Sequence, residues 1–440
     1  MNGALHKRRA LRNRLVICML SAAAGLSAQE NDFNRSVQVR DAGDRLQGRA
    51  LYRAYGDLSL EEWLDAALER DFEVAEARSE SAWESARADA VGVWEDPELR
   101  VGAEDREGRG DETSVRLRVP VPNPWEARAE KRGSRLRSEA ERFRTDALTW
   151  ERRMVLGALY FDAAHAERAL ELRTELLEGL ERDLQAAEQG LEARALSAAR
   201  VVDLRAERAL TAARRAENVA DWDAFREELR ALAGWQDASI AGLSTPLPDP
   251  VDLPRPPPLA QLRGIVIREH GEIAALDLRR REAMALAAGE RAKSIPWISF
   301  LETTWQRESG RGRDNIEARI GISLPIFTWL RKSQTEPALQ VIQTNEQIAA
   351  LRTALSAALD AAWHKARVAE QRLETVFNET ETAIRDIERV LETPGENPQR
   401  RAGLRDLRFD LESERLEAAL DYQMALLDLM LVTGPGYPAH

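Results

Sequence analysis

Residues 114–121 read SVRLRVPV, and residues 316–325 read IEARIGISLP. Apolar and polar side chains alternate in both stretches, which is the pattern of a β-strand with one apolar face. Each stretch follows a second extended segment and a polar turn, so the sequence predicts two β-hairpins, at 96–121 and 295–325. Three arginines fall on the polar face of the first hairpin: Arg100, Arg116 and Arg118.

The composition of the chain favours helices elsewhere. Of its 440 residues, 31% are charged and only 6% are aromatic, which is typical of long helices and coiled coils. The predicted fold class is therefore mainly α with a small β part. The formal net charge of -12 argues against a nucleic-acid partner, because such a partner requires a basic face.

The segment 1–28 is predicted to be a secretory signal peptide. Five basic residues precede an apolar run at 15–26 that is too short to span a bilayer. Cleavage is expected after Ser27, with Ala28 as the alternative. Cys18 is the only cysteine and lies inside this leader, so no disulfide is expected in the mature protein. The segment 29–57 is predicted to be a polar N-terminal extension.

An internal duplication organises the rest of the chain. Residues 73–75 read EVA and residues 272–274 read EIA, and Pro97 recurs as Pro296 at the same offset along the chain. The boundaries that follow are a first repeat at 58–243, a Pro-rich linker at 244–258, a second repeat at 259–434 and a tail at 435–440.

Each repeat is predicted to contain a helix, a hairpin, a long helix and a return helix. The helix that opens the first repeat should run from about 58 to about 94, with Ser59 and Glu62 at the spacing of a capping box. The long and return helices are predicted at 125–189 and 191–235 in the first repeat and at 329–392 and 403–433 in the second. Leucines at heptad spacing indicate a coiled-coil seam: Leu170, Leu177, Leu184 and Leu191.

Each extended segment is long enough to cross a bilayer as a tilted strand. Strands in lipid must close into a barrel, and four are too few to do so alone, so several chains must contribute. Four tryptophans near the helix-strand junctions would form an aromatic girdle at the membrane interface; alternatively, they simply pack those junctions. These are Trp94, Trp125, Trp297 and Trp329.

Several segments resemble the TolC-like outer-membrane efflux family. Residues 119–132 and 322–327 look like the strand-to-helix passages of that family, particularly of its metal-efflux (Czc-type) branch. Residues 190–207 resemble the first helix-hairpin tip, and residues 401–422 together with 432–434 resemble the second. The resemblance covers the chain from about Leu58 to Gly434.

The resemblance implies a homotrimer whose helical hairpins form an α-barrel in the periplasm and whose strands form a shared 12-stranded transmembrane β-barrel in the outer membrane. A periplasmic adaptor and an inner-membrane pump, most often of the RND type, would be its partners. The adaptor-contacting tips would be Gly190, Leu191, Gly403 and Leu404. Acidic residues of the channel constriction would be Asp406, Asp410, Glu412 and Asp203, although for any one of them an acid on a solvated helix face is the more ordinary interpretation.

The function that follows is an exit duct of a tripartite efflux system for small solutes such as metal ions or drugs. The alternative is a periplasmic coiled-coil adaptor or scaffold protein without a transmembrane barrel. No enzyme and no cofactor are expected. The histidines between the leader and the terminal His440 lie far apart, at His165, His270 and His364, and do not have the spacing of a metal site.

Overall fold

The computed structural model describes residues 59–91, 96–106, 110–194, 196–235, 240, 242–243, 255–308, 314–324, 335–393 and 397–438. Predictions that lie outside these ranges concern the signal peptide, the N-terminal extension, most of the Pro-rich linker, Trp94, Trp329 and residues 394–396.

The described chain consists of helices interrupted by two strand pairs. The helices are α1 (Leu60–Arg70), α2 (Phe72–Ala90), α3 (Pro124–Glu192), α4 (Ala198–Leu232), α5 (Leu259–Glu269), α6 (Gly271–Ala292), α7 (Thr335–Glu392) and α8 (Pro398–Thr433). The strands are β1 (Glu98–Arg106), β2 (Gly110–Pro120), β3 (Trp297–Glu308) and β4 (Asp314–Ser323).

Helix starts follow local capping chemistry. The Ser59 hydroxyl accepts from the backbone N–H of Glu62 at 3.4 Å and donates to its carboxylate at 2.9 Å, so the N-cap half of the predicted capping box forms, and the carboxylate binds the hydroxyl. The long helix α3 begins at Asn123-Pro124, where the Asn123 side chain accepts from the N–H of Trp125 at 3.1 Å. Proline fits this first position because its missing N–H would have had no helical partner.

The prediction of one helix from 58 to about 94 was wrong, because the chain bends at Asp71. The carboxylate of Asp71 accepts from the N–H of Val74 at 3.1 Å, so this residue ends α1 and caps α2. The same break separates α5 from α6 at His270, which occupies the equivalent position in the second repeat.

The duplication is visible in the element boundaries. Helices α1 and α5, helices α2 and α6, and strands β1 and β3 each begin at the offset that separates Glu73 from Glu272. The ends of α3 and α7, and the starts of α4 and α8, differ from that offset by a single position. The two halves are therefore copies of one helix-hairpin-helix-helix unit.

Helix α3, at 69 residues, spans about 100 Å and packs against five other described helices, α1, α2, α4, α6 and α8. Its first half lies antiparallel to α2 and α6, where Thr145 donates to the carbonyl of Ala77 and Arg137 pairs with Glu282 at 2.7 Å. Its second half lies antiparallel to α4 and α8. Arg208 of α4 pairs there with Glu181 at 2.6 Å. The long helix is thus lined by α2 and α4 of its own repeat and by α6 and α8 of the second repeat.

The buried residues of α3 do not follow the predicted heptad seam. Leu172, Leu176 and Leu180 are buried, whereas Leu184 and Leu191 are only partly buried where they pack against Leu176 and Leu180. The difference arises because α3 is flanked by two helices here, so its buried stripe is wider than the narrow seam of a two-helix coiled coil.

Candidate functional site

The two hairpins join into one antiparallel sheet whose strand order, β1-β2-β3-β4, follows the chain. Val119 lies opposite Leu301, and Leu301 lies opposite Ile320, so the apolar residues of the strands share one face. Several of these side chains are largely exposed: Leu99 at 65%, Val101 at 69%, Ile316 at 72% and Ile320 at 63%. A continuous exposed apolar face of this kind indicates contact with lipid or with another protein.

The opposite face of the sheet is polar. One row of directly opposed residues crosses all four strands with alternating charge: Glu98, Arg118, Glu302 and Arg319. The Glu302 carboxylate is nearly buried, 3.6 Å from a guanidinium nitrogen of Arg116 and 3.9 Å from one of Arg319. The arginines predicted for the polar face all lie on this side in the register, since Arg100 is opposite Arg116.

Phe300 and Gly321 make a close contact within the polar face. A Cβ atom on Gly321 would lie 2.1 Å from the Phe300 ring, so glycine allows the ring to lie directly on β4. The guanidinium of Arg118 stacks on the same ring at 4.1 Å from its centre, a cation–π contact.

The sheet ends at β1 on one side and at β4 on the other. Within the described residues, no further strand pairs with the outer side of either one. Two unpaired edges leave rows of backbone N–H and C=O groups available for another strand.

Trp125 and Trp297 meet where β3 and α3 adjoin. Their rings are 5.5 Å apart and nearly perpendicular, and the indole N–H of Trp297 donates to the carbonyl of Val121 at 3.1 Å. Trp125 remains 45% exposed. The contact gives both residues a packing role at the junction, and their membrane-interface role stays a prediction.

The first helix-hairpin tip is a short turn between Glu192 and Ala198. Arg194 takes a positive φ of 59° there, a conformation uncommon outside glycine. Gly190 and Leu191 lie in the last turn of α3. A Cβ on Gly190 would come within 2.8 Å of the Leu196 side chain, so Gly190 leaves room for the returning chain.

The second tip differs from the prediction. Helix α8 begins at Pro398, with the Asn397 side chain accepting from the N–H of Gln399 at 3.0 Å. Gly403 and Leu404 therefore lie inside a helix, not in the turn. Asn397-Pro398 starts α8 in the same way as Asn123-Pro124 starts α3.

The predicted constriction acids lie on two helices, α4 and α8. Asp406 and Asp410 are exposed one turn apart on α8. Both lie near Arg173, whose pKa is lowered by burial and by Arg214, and each acid partly offsets that shift by raising the pKa. Glu412 lies elsewhere, accepting from Arg408 at 2.8 Å. Asp203 is exposed on α4, one turn before Glu207.

Sequence reasoning missed Glu207 and Asp183, two acids in the electrostatic neighbourhood of Asp406. Burial raises the pKa of Glu207, with further contributions from Asp406 and Asp183, so Glu207 belongs to the same electrostatic neighbourhood as Asp406. Nothing in the sequence singles it out, because its proximity to α8 depends on how α4 and α8 both pack on α3.

Asp183 is the most deeply buried charged residue described in this region. Its side chain is fully buried in α3 and contacts two arginines of α8, with Arg405 Nε at 2.8 Å and Arg401 Nε at 3.1 Å. The Arg405 contact is an aligned hydrogen bond, whereas the Arg401 contact is an ion pair without that alignment. Gly179, one turn away, makes room, since its Cβ would lie 2.6 Å from Arg405 Cδ.

Two further properties bear on function. Within the described residues, no helix combines the length and apolarity needed to cross a bilayer. Across the same ranges, no three His, Cys, Asp or Glu side chains are grouped as metal ligands.

Comparison with known proteins gives a likeness of fold without a likeness of sequence. No protein-family model matches the chain, and no curated protein matches it. Among solved structures, the chain is similar to TolC-family outer-membrane channels over most of its length.

Three of these structures show the extent of the likeness. The CmeC outer membrane channel of Campylobacter jejuni is 13% identical, with a TM-score of 0.62 over 93% of this chain and 90% of that one. The MtrE outer membrane channel of Neisseria gonorrhoeae is 18% identical, with a TM-score of 0.60 over 86% and 89%. CusC, whose structures concern transmembrane channel formation, is 15% identical, with a TM-score of 0.62 over 88% and 96%. At these identities the likeness shows the fold alone.

Proposed function

We propose that this protein is the outer-membrane exit duct of a tripartite efflux system. The observation that carries the proposal is the four-stranded sheet, which has one exposed apolar face, one ion-paired polar face and two unpaired edges. A sheet with an apolar outer face and a polar inner face is the wall of a transmembrane barrel, and four strands are half the smallest such barrel.

The missing strands come from further copies of the chain. Three copies contribute twelve strands, with β4 of one copy beside β1 of the next, and the apolar face of each sheet contacts lipid. The polar row from Glu98 to Arg319 then lines the lumen. The helices extend into the periplasm as a tunnel. The ends of α3 and α7 and the starts of α4 and α8 meet a periplasmic adaptor and an inner-membrane pump, most often of the RND type.

The proposal assigns the chain passive transport without catalytic chemistry. Small solutes such as metal ions or drugs are the expected cargo. The resemblance of the strand-to-helix passages at 119–132 and 322–327 to the Czc-type branch favours metal ions. Loss of the gene should therefore raise sensitivity to one of these classes, and growth in graded metal salts and in a drug panel measures which one.

The testing experiment is membrane fractionation followed by the mass of the purified protein in detergent. We expect outer-membrane location, a gel mobility that changes on heating, and a protein mass near three times that of one chain. A soluble monomer or dimer would refute the duct and favour the alternative, a periplasmic coiled-coil scaffold without a barrel.

A further inference from the structure

A group of four basic side chains at the start of α3 makes no ion pair within the described part of the chain. Arg128, Lys131, Arg132 and Arg135 are all exposed. Their spacing of three or four positions places them on one face of the helix, where they line a shallow groove together with Leu136 and Glu139. This group is called the basic groove below.

The absence of partners is notable because neighbouring bases have them. Arg137, two positions after the groove's last base, pairs with Glu282 at 2.7 Å, and Lys293 nearby contacts Glu126 at 3.3 Å. The chain as a whole has more acids than bases, 75 against 63. Four neighbouring bases that pair with none of these carboxylates in the described part of the chain are suited to bind an anion from outside the chain.

The position of the basic groove suggests which anion. Strand β2 ends at Pro120 and α3 begins at Pro124, so the groove starts about 6 Å and ends about 17 Å along the helix from its first residue. Trp125, which remains partly exposed, lies between the groove and the strand end. An exposed tryptophan followed by a basic cluster is the arrangement that meets lipid headgroups at a membrane surface.

We infer that the basic groove binds the phosphate headgroups of anionic phospholipids in the leaflet on the helical side of the membrane. The inference depends on the proposed function, because it requires the adjoining strands to lie in a bilayer. Each base near an anionic surface contributes roughly a factor of five to affinity, so removing three of them should weaken binding by roughly 100-fold.

The test measures lipid binding to the purified full-length protein in detergent by native mass spectrometry. Phosphatidylglycerol is the anionic probe and phosphatidylcholine the zwitterionic one. The variant combines Arg128→Gln, Arg132→Gln and Arg135→Gln, since glutamine is a good helix former and the positions are exposed. It should lose affinity for phosphatidylglycerol by roughly 100-fold and leave phosphatidylcholine binding unchanged.

The matched control removes the same charge elsewhere, with Arg200→Gln, Arg214→Gln and Arg352→Gln, three exposed helical positions outside the groove. It should bind both lipids as the wild type does. Equal loss in both triple variants would reduce the effect to net charge and overturn the site. Unchanged lipid binding with an altered ratio of anion to cation permeability in planar bilayers would place the groove in the channel lumen and also overturn the inference.

The two proposals fail separately. If the wild type does not fractionate with outer membranes, the exit duct is refuted before any lipid measurement. If the wild type is a membrane-bound trimer but the basic-groove variant binds phosphatidylglycerol normally, only the lipid site is refuted.

Discussion

Replacement of Asp183 by Asn tests the ion-paired group that joins α3 to α8 near the tips. Asp183 is fully buried, and its partners Arg405 and Arg401 are only 15% and 26% exposed. Removing one member of a buried ionic group leaves the other charge without compensation, which costs about 3 kcal/mol or more. Amide exchange in both helices should then be roughly 100-fold faster, because each 1.4 kcal/mol is a factor of about ten.

The assay is hydrogen exchange with mass-spectrometric readout, comparing peptides from 176–187 and 401–409 with peptides from the far end of α3. Glu181→Gln is the matched control, since Glu181 lies on the same helix and pairs with Arg208 at 2.6 Å but both side chains are 45% exposed. An exposed pair of this kind contributes at most about 1 kcal/mol. If Asp183→Asn accelerates exchange no more than Glu181→Gln does, the burial argument is wrong.

Three other perturbations have defined outcomes. Gly179→Ala should destabilise the purified protein by about 1–3 kcal/mol, because the new Cβ would overlap the Arg405 side chain, which pairs with Asp183. Gly403→Ala should stabilise it by about 0.5–1 kcal/mol, since the added Cβ lies in a helix and meets nothing within 4 Å. Thermal unfolding measures both changes. Burial lowers the pKa of His165, so the unfolded chain binds its proton more readily and stability falls as the pH drops below about 6.5; His165→Leu should flatten that slope in melts between pH 5 and pH 7. Alanine at both Asp406 and Asp410 should raise single-channel conductance or weaken block by divalent cations in planar bilayers, and unchanged values for both would remove these residues from the constriction.

The sequence was most informative where a pattern is local. Alternation in 114–121 and 316–325 located β2 and β4, because strand faces follow directly from side-chain period. The repeat offset first seen between Glu73 and Glu272 recurs in the starts of helices and strands. The Ser59 side chain caps α1 at the N–H of Glu62, as the spacing predicted, since both groups lie within one turn.

The sequence-based predictions failed where a residue is compatible with two local structures, or where its partners lie far along the chain. Asp71 is tolerated inside a helix and also caps one, and only the packing of α1 and α2 on α3 selects the second role. A proline such as Pro398 can end a helix, but here it is the first residue of α8, because the Asn397 side chain caps that helix. Asp183 could not be predicted as a buried ion, because its arginine partners lie in the second repeat, far along the chain.

The two open edges of the sheet have a consequence for how the protein reaches its working form. Within the described ranges, the helices satisfy most of their own backbone hydrogen bonds. The strands cannot be completed in that way, since β1 and β4 present unpaired edges beside an uncovered apolar face, which together form a template for aggregation. In the proposed trimer, biogenesis must therefore keep the hairpins apart from each other's edges until neighbouring copies and a bilayer are present.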